Sequence, residues 1–519
     1  MKGKNARGSI TVFLSLSSVL FLSLIFSVIE SARIQGARAQ TANITDMGNY
    51  SLFGEYEKKL LEDYEIFSVD GSYGTGDFSI DRVNDRFKMY LSCNASPRQE
   101  RVAGLCFDPW RLHLEHSEIK EYALLSDQEG ENFYQQAVAY MKETLITGNV
   151  GKLAGWYRDA RQAEEKQKEY EQRKKISDQA MEQLKRQEEE KKAELEQQRK
   201  QAQAEAEAGG EIVIIEENPA EQVKRENPLK MLNRLKKKGI LEIVCGKKEI
   251  SEKKVAKKEL VSRRHKKKGS MELKKEHGGL TSDLLFREYL LDRFPNYLSE
   301  ETNWTLEYQT EYLIAGKRSD RENLKAVVQR LLLIREGLNY LYCVGNTQMN
   351  SQAGALASLL IGWTGIPALV TVLKHGLLMG WAYGESLMDV RILLEGGKIP
   401  LNKTPDTWMV SLEQLGRLDQ LLEQGSSDKQ EGLSYRDYLR ILFYLQPVSG
   451  QKKRGLDLVE LNLKLAPGLS NFQIDHCVVG ILEETNWQIE PVFSRVPAVF
   501  LGTPSDLLQV TVESGFAYD

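Results

Sequence analysis

The stretch SITVFLSLSSVLFLSLIFSVI, residues 9–29, contains no charged residue in twenty-one positions. As an α-helix with a rise of about 1.5 Å per residue, it would be about 30 Å long, which matches the hydrocarbon core of a bilayer. Its six serines are compatible with such a helix, because a serine hydroxyl can bond back to a carbonyl of the preceding turn. The sequence therefore predicts a transmembrane helix here, and we place the other segments relative to it.

The charges that flank this stretch predict its orientation. Three basic residues and no acidic one precede it, whereas the charges that follow it balance. By the positive-inside rule, residues 1–8 form a cytoplasmic basic tip and the bulk of the chain lies outside the cell membrane. A cleaved secretory signal is the alternative, since Ala37-Arg38-Ala39 fits a cleavage site. The apolar run is long for a signal peptide, and we expect an uncleaved, single-pass anchor.

Short phrases in the sequence carry a family resemblance. RGSITVF at 7–13, then the apolar run, then ESAR at 30–33 resembles the N-terminus of TadE/TadG-like proteins. Those proteins are pilin-like, membrane-anchored components of tight-adherence (Flp-type) pilus systems. FGEY at 53–56, EYLIAG at 311–316 and WAYGES at 381–386 are similar to an uncharacterised Gram-positive family found with such systems.

The resemblance implies a candidate processing site. In a pilin-like chain, the bond between Gly8 and Ser9 would be cut by a prepilin peptidase. Phe13 stands where a type IV pilin would carry a glutamate, which departs from that pattern. The alternative is that Gly8 is only a small residue before a helix.

Composition and motifs exclude several function classes. The chain has 519 residues, a net charge of −4 and five scattered cysteines, which favours neither bulk nucleic-acid binding nor a disulfide framework. The sequence contains no GxSxG, HExxH, P-loop or Rossmann motif. Asp475-His476-Cys477 is a poor nucleophile–base arrangement, because neighbouring residues of a strand point to opposite faces. We therefore expect a non-enzymatic protein without a metal or other cofactor.

Changes in composition predict an α+β chain of several segments. They are a membrane helix (9–29), a pilin-like helical stalk (30–65), a small α/β module (66–150), a long charged helix (151–208), a basic flexible linker (209–276), a helical domain (277–465) and terminal β-strands (466–519). The alternating pattern of the last fifty residues predicts strands that form a terminal sheet, either on their own or paired with the small module. Pairing with the module would bring the two ends of the chain together. We interpret the charged helix as a solvated spacer or as one arm of a weak helical hairpin.

A basic run follows the charged helix. Residues 223–268 hold eighteen Lys and Arg against five Glu, which is either a solvated surface or a site for polyanions. The candidate polyanion-binding residues are Lys236, Lys237, Lys238, Arg263, Arg264, Lys266, Lys267 and Lys268. The run is poor in aromatic residues that could stack on bases, which argues against nucleic acid as a partner. Within the run, the pattern indicates a helix from Pro228 and a short strand from Ile240 to Val244.

The helical domain contains a second uncharged run, Ala353–Leu373. Gly362, Gly365 and Pro367 interrupt this run, so we expect two buried helices rather than a second membrane span. Glycines at 376, 380 and 384 would let another helix approach closely. Glu385 and Asp389 share a helix face, as a metal or acid–base pair or, more simply, as a polar edge facing Arg391.

Together these features predict a membrane-anchored, extracytoplasmic, non-catalytic component of a Tad/Flp-type pilus or a type II-like secretion system. Its expected partners are the lipid bilayer, other pilus or secretion proteins and cell-wall polyanions. The alternative is a membrane-tethered scaffold with a cytoplasmic body that binds anionic partners through the basic run.

Overall fold

A computed structural model describes most of the chain. The described residues are 5–95, 101–102, 105–106, 108–145, 150–207, 228–246, 248–300, 302–424, 431–493 and 507–518. The fold is α+β, as the sequence predicted, and the chain divides into two compact units. The first unit comprises Met1–Tyr140, Val261–His277 and Leu456–Asp519, and the second comprises Met141–Leu260 and Gly278–Gly455.

The apolar stretch lies in one long helix, α1 (Asn5–Phe53). Beyond residue 29, α1 is amphipathic and buries Ala37, Thr41 and Ile44, spaced three or four residues apart, within the first unit. The sequence predicted a stalk that projects as far as residue 65. Instead α1 ends before the turn at Gly54, a short helix follows, and one face of α1 packs against its own unit because that face is apolar.

A four-stranded antiparallel sheet forms the centre of the first unit. Its strands are β1 (Val69–Asp70), β4 (Leu112–Leu124), β7 (Cys477–Ile489) and β8 (Leu508–Ala517); β2 (Arg101–Val102) and β3 (Leu105–Cys106) form a separate pair. β7 is central, because β4 and β8 both pair along its length. The predicted pairing of the terminal strands with the module at 66–150 is confirmed.

The core of the first unit lies between the sheet and two helices, α1 and α3 (Ile80–Ala95). The helices are α1, α2 (Lys58–Tyr64), α3 (Ile80–Ala95) and α4 (Asp127–Thr144), which is kinked at residues 128–130. Phe53, Phe87 and Trp487 belong to one buried cluster. A Cβ at Gly48 would lie 2.8 Å from Phe87, so glycine allows α1 and α3 to pack this closely.

The second unit is helical. Its helices are α5 (Val150–Glu207), α6 (Pro228–Lys237), α7 (Ile240–Val244), α8 (Gly279–Arg293), α9 (Gln309–Ala315), α10 (Asp320–Gly345), α11 (Thr347–Ile361), α12 (Pro367–Leu394), α13 (Leu418–Gln424) and α14 (Tyr435–Tyr444), with a short hairpin of β5 (Lys398–Ile399) and β6 (Leu433–Ser434). α15 (Val448–Leu463) begins in this unit and ends in the first. The predicted long charged helix is α5. Its first half buries residues such as Ala163 and Tyr170, and its second half is mostly exposed.

Two local predictions in this unit have opposite outcomes. The run Ala353–Leu373 is divided between α11 and α12 by a 3₁₀ turn at Gly362–Thr364, as predicted from its glycines and proline. Ile240–Val244 is helical, and the predicted strand is wrong. A five-residue apolar run fits a buried helical turn as well as a strand, and the strand pairings among the described residues do not include this run.

The glycines of α12 allow close packing, as expected. A Cβ at Gly380 would lie 2.7 Å from Leu232 of α6, and a Cβ at Gly384 would lie 2.6 Å from Leu415. Small residues at these positions therefore admit leucine side chains directly against the helix backbone. α12 also carries Glu385 and Asp389, two of the buried charges described below.

Candidate functional site

The N-terminal part of α1 is apolar and uncovered. Phe13, Leu20 and Phe21 are each about 70 % exposed, and the apolar window of this helix has no buried residue. Among the described residues, α1 is the only helix long and apolar enough to cross a membrane. An apolar helix surface of this length is stable in lipid and unfavourable in water. The chain therefore carries one candidate single-pass anchor at its N-terminus.

A buried ion pair marks the place where the uncovered part of α1 ends. Arg33 donates to Glu30 at 2.8 and 3.1 Å, and both side chains are almost fully buried. Arg33 also donates to the carbonyls of Trp110 at 2.9 Å and Glu490 at 2.7 Å. These carbonyls lie just before β4 and just after β7. One side chain of α1 thus binds the same end of both strands.

The Glu30 carboxylate completes this junction. The backbone N–H groups of Val492 and Phe493 donate to it at 3.2 and 3.0 Å. Burial opposes its ionisation, but the hydrogen bonds from Arg33 and from these two N–H groups outweigh burial and lower the pKa of Glu30. The ring of Phe493 stacks against Phe26, with 6.3 Å between centroids. The junction therefore keeps its charges, and Phe493 contacts the last turn of the apolar part of α1.

The predicted processing residues lie inside this helix. Gly8 and Ser9 are both part of α1, which begins at Asn5 in the described chain. The bond between them therefore has a helical backbone. Processing by a prepilin peptidase stays a prediction from the sequence.

The eight candidate polyanion-binding residues are divided between the two units. Lys236, Lys237 and Lys238 are exposed at the end of α6 in the second unit. The other five lie in the first unit, where Arg263, Lys267 and Lys268 are exposed and Lys266 is half-buried. The fifth, Arg264, points inward, so its predicted exposure on a flexible linker is corrected below.

Residues 261–270, here called the basic strap, are fixed to the first unit. Ser262 donates through its N–H and its hydroxyl to Asp457, both at 2.7 Å. Arg264 donates to Glu460 at 2.5 and 2.7 Å and also to Asp475. Opposite charges next to Arg264 raise its pKa despite its burial. These contacts hold the strap against the unit, and the prediction of a flexible linker is wrong for this part.

The rest of the described linker is also structured. Lys253 binds Glu307 and the carbonyl of Trp304, and the N–H of Val255 donates to Arg318 at 2.9 Å. Ser251 donates to Asp320 at 2.6 Å. The linker was predicted from composition, which does not reveal that polar partners elsewhere in the chain bind the segment. Residues 209–227 of that prediction lie outside the described residues.

A second group of charges is enclosed in the helical unit. Arg335 of α10 binds Asp389 at 2.9 Å, and Lys403 binds Glu385 at 2.6 Å and Asp389 at 2.8 Å. All four side chains have no exposed surface. The prediction that Glu385 and Asp389 face Arg391 is wrong. Arg391 binds Glu395 at 2.9 Å, because it lies one turn before that residue.

The two carboxylates of this group differ in their pKa. Burial is outweighed at Asp389 by Arg335 and Lys403, which lower its pKa, whereas burial and the nearby Asp389 raise the pKa of Glu385 to about 7. Glu385 also accepts hydrogen bonds from the N–H groups of Met409 and Val410. Each carboxylate is bound by other groups of the protein, and the cluster of four charged side chains is closed to solvent. Among the described residues, no set of His, Cys, Asp and Glu is placed to hold a metal ion.

Among the surface clefts beside α12, two lie against α5. The larger, of 440 Å³, is lined by parts of α5, α6 and α12 and includes Lys174 and Glu336, which bind each other at 3.1 Å. The smaller, of 210 Å³, includes His375, whose Nδ1 lies 3.3 Å from the Tyr340 hydroxyl. Burial, together with the nearby Lys374 and Arg173, lowers the pKa of His375. Neither Glu385 nor Asp389 lines these clefts.

The family comparison covers much of this structure. A family model described as a family of unknown function (DUF5702) matches residues 218–489, more than half of the chain. The protein belongs to the DUF5702 family. The DUF5702 match includes the basic strap and the enclosed charges, ends with β7 and does not extend to α1. No curated protein and no solved structure matches the chain.

In this DUF5702 protein, the cationic partners of Glu385 and Asp389 were not predicted from the sequence. Arg335 stands between Leu331, Leu332 and Leu338 on the apolar face of its helix. An arginine in that position is rarely buried without a partner, so it was a usable signal for an internal ion pair. Lys403 lies in a loop and carries no comparable signal. Glu30 and Arg33 were noted only within the sequence ESAR at 30–33, and their ion pair was not predicted.

Proposed function

We propose that this protein is a membrane-anchored, extracytoplasmic and non-catalytic component of a Tad/Flp-type pilus or a type II-like secretion system. Its N-terminus is cytoplasmic, and α1 crosses the cell membrane once. Its partners are the bilayer and other proteins of the same assembly. The sequence resemblance at residues 7–13 and 30–33 motivates the assignment to these systems.

The observation that carries this proposal is the division of α1 into two parts. Residues 10–29 are apolar and uncovered, and residues 30–53 are packed on an antiparallel sheet of the same unit. Thr45 lies 3.3 Å from Thr485 of β7, and Asn49 donates to Glu483 of the same strand. A pilin-like subunit is expected to have such a helix, in which one part enters the membrane and the other is part of the folded body.

The enclosed charges support a structural role for the helical unit. A catalytic carboxylate must reach a substrate, whereas Glu385 and Asp389 have no exposed surface and are bound by Lys403 and Arg335. Their partners come from separate segments of the chain, so the group connects those segments. This arrangement favours a scaffold over an active site.

Native cysteines provide a test of orientation. Cys93 is exposed, whereas Cys245, Cys343 and Cys477 are buried. In a Cys106→Ser background, intact cells are treated with a membrane-impermeant maleimide, and labelling is compared before and after permeabilisation. We expect full labelling of Cys93 on intact cells. The matched control is the Cys93→Ser/Cys106→Ser variant, which should remain unlabelled.

Labelling only after permeabilisation would contradict the extracytoplasmic assignment. It would favour the alternative, a membrane-tethered scaffold whose body lies in the cytoplasm and binds anionic partners. The experiment therefore separates the two functions without a change to the fold.

The role in assembly is tested by placing charged residues in the membrane helix. Leu20→Arg/Phe21→Arg places two charges in the apolar helix, each costing about 3 kcal/mol at the bilayer centre. In a pilus-forming host, we expect deletion of this gene to abolish sheared filaments, wild type to restore them and this variant to fail. Ile176→Arg is the matched control, because Ile176 is exposed outside the anchor. Normal filaments in the deletion strain would refute the role in assembly.

A further inference from the structure

The basic strap presents cations on one side and fixes its backbone on the other. The exposed basic residues of the strap are Arg263, His265, Lys267 and Lys268, and the strap contains no acidic residue. Beyond its end, Glu272, Lys274, Lys275 and Glu276 are also exposed. Arg263, Lys267 and Lys268 form no ion pair with a described residue. The outer side of the strap is therefore strongly basic.

The acidic side chains of Asp457, Glu460 and Asp475 bind the strap and lie on its inner side. Arg264 lies between Glu460 and Asp475, and Lys464 binds Glu460 at 2.5 Å. The N–H of Lys267 donates to Asp475 at 2.9 Å. The inner carboxylates are thus paired with Arg264, Lys464 and backbone groups rather than with the outer lysines. The outer cations remain available to a partner.

The strap is held in position at its second half. The N–H of Gly269 donates to Asp127 at 3.0 Å, and the N–H groups of Ser270 and Met271 donate to the carbonyl of Tyr122, both at 2.9 Å. A Cβ at Gly269 would lie 2.4 Å from that carbonyl oxygen, so glycine is required for this approach. Because the backbone is already ordered, a partner does not have to supply the free energy of ordering it.

The strap lies far from the Arg33 junction, where the uncovered part of α1 ends. Tyr122 is at the end of β4 that holds the strap, and Leu112 is at the end next to the Arg33 junction. Ten residues of strand at about 3.3 Å each separate the two ends by about 33 Å. At physiological salt, electrostatic attraction is screened over about 8 Å. α1 runs along β7 from Glu490, which Arg33 binds, to Glu483, which Asn49 binds, so the strap end of the sheet lies beyond the packed part of α1. In the proposed topology, headgroups of the bilayer that holds α1 are therefore beyond the reach of the strap.

We propose that the basic strap binds a linear, phosphate-bearing polyanion that extends away from the membrane surface, of the chemical class of a wall teichoic acid or polyphosphate. Arg263, Lys267 and Lys268 supply the principal contacts. Charge complementarity and the fixed backbone carry this proposal, and the distance from the junction excludes lipid headgroups. The location of the polymer outside the cell and the exclusion of lipid headgroups rest on the proposed topology, whereas the binding of a polyanion does not.

The test measures binding of fluorescently labelled long-chain polyphosphate to the full-length protein in phosphatidylcholine nanodiscs by fluorescence anisotropy. The strap variant is Arg263→Gln/Lys267→Gln/Lys268→Gln. The matched control is Lys236→Gln/Lys237→Gln/Lys238→Gln, which removes the same charge from exposed residues of the other unit. We expect the strap variant to raise Kd at least tenfold and the control to change it less than twofold.

Salt dependence gives a second readout. Each phosphate contact on a single-stranded polyanion contributes about 0.7 to the slope of log K against log salt, so losing three contacts should reduce the slope by about 2. An equal loss of affinity in both triple variants, or no loss in the strap variant, would overturn the proposal. A charge-conserving variant, Arg263→Lys/Lys267→Arg/Lys268→Arg, should bind as wild type, which separates loss of charge from loss of fold.

Nanodiscs that contain the anionic lipid phosphatidylglycerol test whether lipid headgroups bind the strap. Because the strap is about 33 Å from the junction, polyphosphate affinity at physiological salt should differ less than twofold between the two lipids. Loss of polymer binding in the anionic nanodiscs would show that lipid occupies the strap and would overturn the proposal. These results do not depend on pilus assembly, so their failure is distinguishable from failure of the proposed function.

Discussion

Arg33 binds Glu30 through two hydrogen bonds at the point where α1 changes from an uncovered to a packed helix. The same guanidinium donates to the carbonyls of Trp110 and Glu490. One residue therefore connects the helix to the adjacent ends of β4 and β7. If α1 crosses the membrane, this contact fixes the height of the sheet above the bilayer.

Arg33→Met is expected to destabilise the first unit. The substitution leaves the Glu30 carboxylate buried without its cation, and breaking a buried pair in this way costs about 3 kcal/mol or more. Thermal unfolding of the protein in detergent should show a lower Tm. Arg38→Met is the matched control, because Arg38 is an exposed arginine of the same helix. An equal Tm for the two variants would contradict a structural role for the ion pair.

Arg264→Gln is expected to release the basic strap. Its ion pairs with Glu460 and Asp475 would be lost, while the exposed basic residues remain as trypsin sites. Limited proteolysis followed by mass spectrometry should show faster cleavage after Lys266 to Lys268 than in wild type. Arg263→Gln, which changes an exposed neighbour, should leave these sites protected. Rapid cleavage of the wild-type strap would argue against the fixed backbone.

Local patterns were sufficient to predict several elements. α1 and α5 were recognisable from a run without charge and from a run of i,i+4 ion pairs, which are properties of neighbouring residues. The division of Ala353–Leu373 followed from its glycines and proline, because these residues act on their own backbone. The alternation in β7 and β8 also predicted the terminal strands.

Contacts between distant segments were not predictable in the same way. Arg264 binds partners 196 and 211 residues further along the chain, so composition alone suggested a solvated linker. Asp389 binds Arg335, 54 residues earlier, and the spacing of Glu385 and Asp389 gave only their shared face. Burial of a charge depends on such partners, and a single sequence shows them only after the fold is known.

Lys403→Met is expected to destabilise the second unit strongly. Lys403 binds Glu385 and Asp389 and also donates to the carbonyl of Thr407 at 2.8 Å. Its removal leaves two buried carboxylates with one cation, Arg335, at a cost of about 3 to 5 kcal/mol. Urea unfolding followed by tryptophan fluorescence measures this change. Lys398→Met, at an exposed lysine nearby, should cost less than about 0.5 kcal/mol, and equal losses would refute the prediction.

Glu311 is a buried acid without a cation among its hydrogen-bond partners. Its Oε1 accepts from the N–H of Tyr297 at 2.9 Å and from the hydroxyl of Tyr435 at 2.7 Å. Its Oε2 has no hydrogen-bond partner among the described residues. Burial outweighs these hydrogen bonds and raises the pKa of Glu311 from its usual 4.5 to about 7. The protonated form is therefore favoured in the folded state below that pH.

Glu311→Gln is expected to change the pH dependence of stability. Because the folded pKa is raised, wild type loses stability as the pH rises from about 4.5 through about 7, by up to about 3 kcal/mol. Glutamine resembles the protonated acid, so the variant should match wild type at pH 5 and exceed its free energy of unfolding at pH 8. Urea unfolding at both pH values measures the difference, with Glu322→Gln as the exposed control. A variant less stable than wild type at pH 8 would show that Glu311 is held there as a carboxylate.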